Sequence, residues 1–226
     1  MALGFGRMSS RVIFKLSVVA LLLLLILFIF VNIRKPIDPI EPIQPIKLST
    51  PLTPPMTTPE LMMADDYFFR QDDEGWGTDN IGATTDTLTG YGCTISSVAM
   101  AASNLLQTKI SPGDLNRDLG AVDGYTDRGW LIWKKLEAVT GNKLRTVLYA
   151  KPSHASIKQC MQNEGYPIIK IKLNNQLVHW VIVVGKSERG YLVRDPLVGN
   201  AQDVPILLSE RTDYIYSARC ILKNTD

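Results

Sequence analysis

The clearest hydrophobic pattern in the chain follows Cys93. Apolar residues recur there at helical spacing, while Ser96, Ser97 and Asn104 fall at other positions. Such a segment can bury one face against a core. The pattern therefore predicts an amphipathic helix that begins at Cys93. Its apolar positions are Ile95, Val98, Ala99, Ala102, Leu105 and Leu106.

Three further helices are predicted after this one. A turn at Ser111–Asp114 caps a short helix that runs to about Leu119. Apolar spacing predicts another helix over Gly129–Thr140, which a glycine closes. A third covers Ser153–Glu164, because Pro167 prevents its continuation.

The pattern then changes from helical spacing to strands. Lysine alternates with apolar residues over Ile168–Leu173, and Leu177–Gly185 is almost continuously apolar. Tyr191–Arg194 and Asp213–Leu222 complete the predicted strands. Helices followed by consecutive antiparallel strands indicate an α+β fold rather than a doubly wound sheet.

An apolar segment over residues 16–33 precedes this domain. About 18 residues of helix span roughly 27 Å, close to the ~30 Å hydrocarbon core of a bilayer. The segment is longer than the apolar region of a cleaved signal peptide, and no small-x-small cleavage site follows it. We therefore expect an uncleaved transmembrane signal anchor.

The basic residues around residues 16–33 predict the orientation of this anchor. Three of them precede the segment and two follow it directly. The positive-inside rule then predicts a cytoplasmic tail over residues 1–15 and an extracytoplasmic location for the folded domain.

Residues 34–64 are rich in proline. From Pro36 to Pro45 a proline recurs at every third position, followed each time by isoleucine. This period fits a polyproline II helix, and Pro36 to Pro59 would reach roughly 70 Å. We expect a spacer between the membrane and a folded domain over residues 65–226. A docking ligand for a proline-binding groove is the alternative.

Composition and charge exclude some partners and cofactors. The net charge is +2, and no basic block is interleaved with aromatic residues, so no nucleic-acid surface is expected. The acidic residues before Thr87 lack the alternating loop of calcium sites. With two histidines and no Cys-x-x-Cys spacing, the chain has no zinc motif. We expect no metal and no cofactor.

The chain has three cysteines. If the domain is exported, Cys160 and Cys220 can pair and leave Cys93 free. Two buried, unpaired thiols are the alternative. The odd number of cysteines alone does not distinguish these possibilities.

Cys93 is predicted to lie in the first turn of its helix. Unpaired backbone N–H groups and the positive end of the helix dipole favour an anion there, which favours the reactive thiolate. Gly90 and Gly92 leave room beside the sulfur for a substrate carbonyl. The alternative is that Cys93 is a small apolar filler of the core.

His179 and Asp195 are predicted to meet on neighbouring strands. If Gly185 pairs with Tyr191, Asp195 lies opposite Val181, which shares a sheet face with His179. A carboxylate at this diagonal position can orient the imidazole. A slip of one residue would separate them. Otherwise His179 is a core histidine, and Asp195 starts a turn.

Four short motifs, within Phe69 to Val198, resemble those of the papain-like cysteine peptidases. The branch that resembles this chain most contains the bacteriocin-leader peptidases and their stand-alone bacterial relatives. The motifs occur in the family's order. They are Gln71-Asp72 with Trp76, Gly92-Cys93, His179-Trp180 and Asp195-Pro196.

This resemblance implies a papain-like fold, with the nucleophile helix packed on an antiparallel sheet. It also implies four roles. Cys93 is the nucleophile, His179 the general base and acid, and Asp195 the residue that orients His179. Gln71 donates to the oxyanion together with the backbone N–H of Cys93. One departure is that Thr94-Ile95-Ser96 follows the cysteine, where many members have Gly-Pro and a hydroxylated residue.

The sequence thus predicts a membrane-anchored, exported cysteine peptidase. Its substrate would be a peptide or protein, cleaved at a peptide or isopeptide bond through a thioester. Acyl transfer or transpeptidation is one alternative, because it shares the acyl-enzyme. A catalytically silent peptide-binding module is the other. His154 matches none of the motifs and is interpreted as a surface residue.

Overall fold

A computed structural model describes residues 45–48, 60–149, 151–174, 176–197, 199 and 204–225. The predicted tail (1–15) and membrane anchor (16–33) lie outside these residues, as does most of the predicted linker. Within the described part of the chain, no helix is both long enough and apolar enough to cross a bilayer.

Most strands of the described residues form one antiparallel sheet. The strands are β1 (Ile46–Lys47), β2 (Leu61–Met62), β3 (Leu144–Leu148), β4 (Tyr166–Leu173), β5 (Leu177–Ser187), β6 (Gly190–Arg194), β7 (Ile206–Leu207), β8 (Tyr214–Ile215) and β9 (Ser217–Lys223). The order of the main sheet is β3-β9-β4-β5-β6-β7, and β2 pairs with β5 outside this order. A separate two-stranded sheet joins β1 to β8.

The helices precede most of these strands, which confirms the predicted α+β class. Ser111 and Ser153 cap the third and fifth helices through their side chains. Such caps satisfy backbone N–H groups of the first turn. The helices are α1 (Leu88–Tyr91), α2 (Cys93–Leu106), α3 (Pro112–Gly120), α4 (Lys135–Val139) and α5 (His154–Gln162), with a 3₁₀ helix at Leu208–Glu210.

Helix α2 is the longest helix of the described residues and lies in the larger hydrophobic core. Val98, Ala99 and Ala102 are fully buried, as the apolar spacing predicts. They share a cluster with Ile182 and Val184 of β5. A second cluster includes Val181 and Val183 of the same strand, with residues of α5. The sheet is therefore covered by apolar side chains on both faces.

A disulfide joins Cys160 of α5 to Cys220 of β9. Both cysteines are buried, and 60 positions separate them in the sequence. Cys93 is the free cysteine. Of the two alternatives that the cysteine count left open, the structure contains the paired one.

Two predicted elements differ from the observed ones. The helix predicted over Gly129–Thr140 is limited to α4, because Leu131 forms a β-bridge with Tyr125 instead. The strand predicted over Asp213–Leu222 is divided at Tyr216 into β8 and β9. The two parts pair with different strands, β1 and β4.

Two short strands lie within the range predicted as a linker. Ile46 pairs with Ile215, and Leu61 pairs with Lys186. Leu48 adds a backbone hydrogen bond of 2.7 Å to Asp213. At β1 the chain is therefore strand rather than the polyproline II helix that the repeat predicts.

Candidate active site

Cys93 is the first residue of α2, as the sequence predicts. Gly92 connects α1 to α2 without space for a side chain, because an added Cβ would collide with the carbonyl oxygen of Leu88. This close approach turns the chain so that Cys93 begins the new helix. The thiol is free and partly exposed. It therefore combines solvent access with a position in the first turn of a helix.

His179 lies on β5, directly opposite Ile171 of β4. Only 1% of the residue is exposed. Its Nε2 is 2.6 Å from Oδ1 of Asp195. The imidazole is also close enough to Cys93 for the thiol to raise its pKa. Since Nε2 is engaged by Asp195, Nδ1 is the ring nitrogen that remains for the thiol. The imidazole thus links the cysteine to the carboxylate.

The strand register brings Asp195 to His179 by a route that differs from the predicted one. Gly185 pairs with Leu192 rather than with Tyr191. A bulge between Val183 and Gly185 then shifts the register by one residue, so that Ile182 pairs with Arg194. A bulge adds one residue to one strand of a pair. Asp195 therefore follows at the predicted position, although the premise about Gly185 was wrong.

Asp195 is completely buried and accepts three hydrogen bonds among the described residues. Oδ1 accepts from His179 and, at 2.9 Å, from the backbone N–H of Leu197. Oδ2 accepts from Nε of Arg211 at 2.8 Å. A buried carboxylate needs such partners to remain ionised. Arg211 was not identified from the sequence, and no local pattern points to it, since it lies 16 positions after Asp195.

Burial and charge act against each other on the two titrating groups. Burial opposes the charged imidazole, but the contacts with Asp195 and Cys93 prevail and raise the pKa of His179 to about 9. Burial also opposes the ionised carboxyl of Asp195. The hydrogen bond from His179, aided by Leu197 and Arg211, nevertheless lowers its pKa. The arrangement therefore favours an imidazolium beside an ionised carboxylate at neutral pH.

Gln71 connects the two sides of the site. Its backbone N–H donates to the carbonyl of Pro196 at 3.0 Å, next to Asp195. Its side-chain Nε2 donates to the carbonyl of Thr89 at 2.7 Å, in the short helix before Cys93. Oε1 is buried and has no hydrogen-bond partner among the described residues. The second Nε2–H has no acceptor among the described residues.

The structure thus brings Cys93, His179 and Asp195 into one chain of contacts. Gln71 is hydrogen-bonded to the backbone of Thr89, which precedes Cys93, and to that of Pro196, which follows Asp195. His154 is exposed and lies apart from this chain of contacts, where its Nδ1 is 2.9 Å from the hydroxyl of Tyr191. Among the described residues, no cluster of histidine, cysteine and acidic side chains is suited to hold a metal ion.

Solved structures include distant neighbours of this chain. No family model matches it, and no curated protein matches it. It is similar to the crystal structure of a Bacillus anthracis protein that is provisionally named a C39-like peptidase. The two share 14% sequence identity with a TM-score of 0.47, over 74% of this chain and 98% of that chain. So distant a similarity leaves the function to be inferred from the side chains of the site.

Proposed function

We propose that this chain is a papain-like cysteine peptidase that hydrolyses peptide or isopeptide bonds. One observation carries the proposal: a free thiol at a helix N-terminus lies close enough to a buried imidazole to raise its pKa, and Nε2 of that imidazole binds a buried carboxylate. Nucleophile, base and orienting group are the three parts that thiol acyl transfer requires.

In the first half of the reaction, the thiolate of Cys93 attacks the substrate carbonyl carbon and forms a C–S bond. The imidazolium of His179 gives its proton to the departing nitrogen as the C–N bond breaks, which leaves a thioester. In the second half, neutral His179 takes a proton from water, and the hydroxide attacks the thioester. The acid product leaves, and the thiolate–imidazolium pair is restored.

Gln71 is proposed to stabilise the oxyanion in both halves. One Nε2–H is held by the carbonyl of Thr89, which fixes the amide plane. The second N–H would donate to the developing oxyanion, together with the backbone N–H of Cys93. Donors held in place before the reaction need no reorganisation in the transition state, which is why they lower its free energy.

The enzyme is further proposed to be anchored in a membrane by residues 16–33, with its domain exported. The apolar length of that segment and the charges around it support the orientation. The disulfide between Cys160 and Cys220 supports an oxidising compartment. Protease digestion of intact spheroplasts tests this, since an exported domain is degraded and a cytoplasmic one is protected.

A peptide vinyl sulfone tests the peptidase proposal on the full chain in detergent micelles. The thiolate adds to the vinyl group, and intact mass spectrometry then counts one adduct. We expect one adduct on the wild type and none on Cys93→Ser. A tryptic peptide library in H₂¹⁸O then reports on turnover, because hydrolysis places ¹⁸O in the new carboxyl group.

Two results would redirect the proposal. Products joined to an added amine, without ¹⁸O, would indicate acyl transfer by the same thioester. An unlabelled Cys93 in folded protein, with no cleavage of the library, would indicate a silent peptide-binding module.

A further inference from the structure

The carboxylate of Asp195 is shared between two cationic side chains. His179 and the Leu197 backbone N–H bind Oδ1, whereas Arg211 binds Oδ2. The Asp195 side chain is 0% exposed, and that of Arg211 is 25% exposed. Arg211 is the donor to Oδ2 among the described residues. Its guanidinium therefore binds the carboxylate oxygen that His179 does not bind.

The position of Arg211 is fixed by the backbone that carries it. It directly follows the 3₁₀ helix Leu208–Glu210, and its N–H donates to the carbonyl of Leu208 at 2.9 Å. Leu208 is buried in the second hydrophobic cluster. The guanidinium is thus presented to Asp195 from an anchored turn rather than from an unconstrained loop.

Other charged groups face the imidazole and its carboxylate. Cys93 approaches His179 from α2. Arg70, which directly precedes Gln71, also attracts Asp195, but its guanidinium is bonded to Asp72 at 2.8 Å and to the carbonyl of Gly199. Arg211 is therefore the arginine in direct contact with Asp195.

We propose that Arg211 is a positioning residue that acts through Asp195 to limit how strongly His179 holds its proton. By binding Oδ2, it fixes the carboxylate and draws negative charge away from the imidazolium. His179 then releases its proton to the leaving amine more readily and is neutral for the attack of water. This catalytic consequence rests on the proposed peptidase function, whereas the effect on the imidazole requires no substrate.

NMR of [¹³Cε1]-histidine in the full chain in micelles tests the inference directly. The sequence has two histidines, so a His154→Gln variant assigns both resonances. The His179 resonance is followed from pH 6 to 11. Removing a neighbouring cation in Arg211→Met should raise the pKa of His179 by about one pH unit.

Three variants separate this role from a general effect on charge or folding. Arg211→Lys retains the cation, so the pKa of His179 should stay close to its wild-type value. Arg117→Met removes an exposed arginine that pairs with Asp114, and should cause no shift. In an Asp195→Asn background, Arg211→Met should have less than half of its effect, because the carboxylate that couples the two groups is gone.

A pKa of His179 that is unchanged or lowered in Arg211→Met would overturn the inference, as would an undiminished shift in the Asp195→Asn background. If Arg211→Met does not fold, Arg211→Gln removes the charge but retains a donor, and the same rise is expected. Because the shift is read without turnover, failure of the peptidase proposal would appear separately, as absent labelling of Cys93.

Discussion

The two histidines of the chain each bond an oxygen through one ring nitrogen, yet their surroundings differ. His154 is exposed at the start of α5, where it stacks on Tyr191 with ring centroids 5.7 Å apart and bonds the phenol hydroxyl. His179 is buried on β5 and bonds the carboxylate of Asp195. Burial raises the pKa of Tyr191 to about 12, so the partner of His154 is neutral at physiological pH.

The difference shows what a histidine requires for the proposed chemistry. A neutral phenol can fix the orientation of an imidazole, but it does not favour the protonated ring. A buried, ionised carboxylate does both. Of the two histidines, His179 is also the one whose pKa the free thiol helps to raise, so the imidazolium forms beside the proposed nucleophile.

The largest expected effect distinguishes the two histidines directly. His179→Ala removes the base and the partner of the thiolate, and should slow labelling of Cys93 by the peptide vinyl sulfone by about 10⁴-fold at pH 6. His154→Ala, the matched control, should label at the wild-type rate. Equal labelling rates in His179→Ala and the wild type would show that His179 does not activate the thiol of Cys93. Labelling is followed by intact mass against time.

A smaller loss is expected when the partner of His179 is made neutral, like that of His154. Asp195→Asn should slow turnover by roughly 10²–10³-fold, because the imidazole loses the carboxylate that stabilises its charged form. The pKa of His179 should fall, since burial is then no longer opposed by an anion. The ¹³Cε1 titration checks this, and a pKa that stays near 9 would contradict the assigned contact.

The oxyanion donor adds a contribution that neither histidine supplies. Gln71→Ala should slow turnover by about 100-fold, or about 3 kcal/mol, without abolishing it. Gln107→Ala is the control, because its amide also donates to a backbone carbonyl, at the end of α2. The library cleavage assay measures both variants. Full turnover in Gln71→Ala would remove this residue from the mechanism.

The stability of the folded chain should depend on pH through His179. Its pKa is raised to about 9, above the ordinary value near 6.5. The pair with Asp195 therefore stabilises fully below about pH 6.5, and this contribution is lost as pH rises through 9. The loss should be roughly 3 kcal/mol. Urea unfolding at pH 6 and pH 10 measures it, and His179→Gln should largely remove the difference while His154→Gln retains it.

The smallest effect concerns the phenol. Tyr191→Phe deletes the hydroxyl that His154 bonds and should lower the free energy of unfolding by about 1 kcal/mol. Labelling of Cys93 should not change, because among the described residues the Tyr191 hydroxyl is bonded to His154, which lies outside the proposed site. A slowed labelling reaction would show that the two histidines are coupled, and this would remove the distinction between them.

The sequence predicted the elements that local pattern controls. The helix that begins at Cys93 has both a period and a glycine turn, and its apolar face is buried as expected. Residues 125–134 lacked such a clear signal. Leu131 is partly buried and forms a β-bridge instead of a helical turn, which apolar spacing alone does not distinguish.

The contacts of the site depend on longer-range features. The hairpin register predicted that Asp195 lies diagonally across from His179. The observed hairpin begins one residue out of that register, and a bulge at Val184, which the sequence did not predict, restores it. Arg211 reaches Asp195 after an intervening strand and a 3₁₀ helix. Such a contact is determined by the packing of Leu208 rather than by any local sequence pattern.

The most direct test of the central claim is the pH dependence of alkylation by iodoacetamide. The other two cysteines are bonded to each other, so Cys93 is the thiol that reacts. An unperturbed cysteine slows about tenfold for each pH unit below its pKa of about 8.5. The account predicts that Cys93 still reacts rapidly at pH 5 in the wild type and slows at least 100-fold there in His179→Ala. Slow alkylation at pH 5 in both proteins would contradict a thiolate–imidazolium pair.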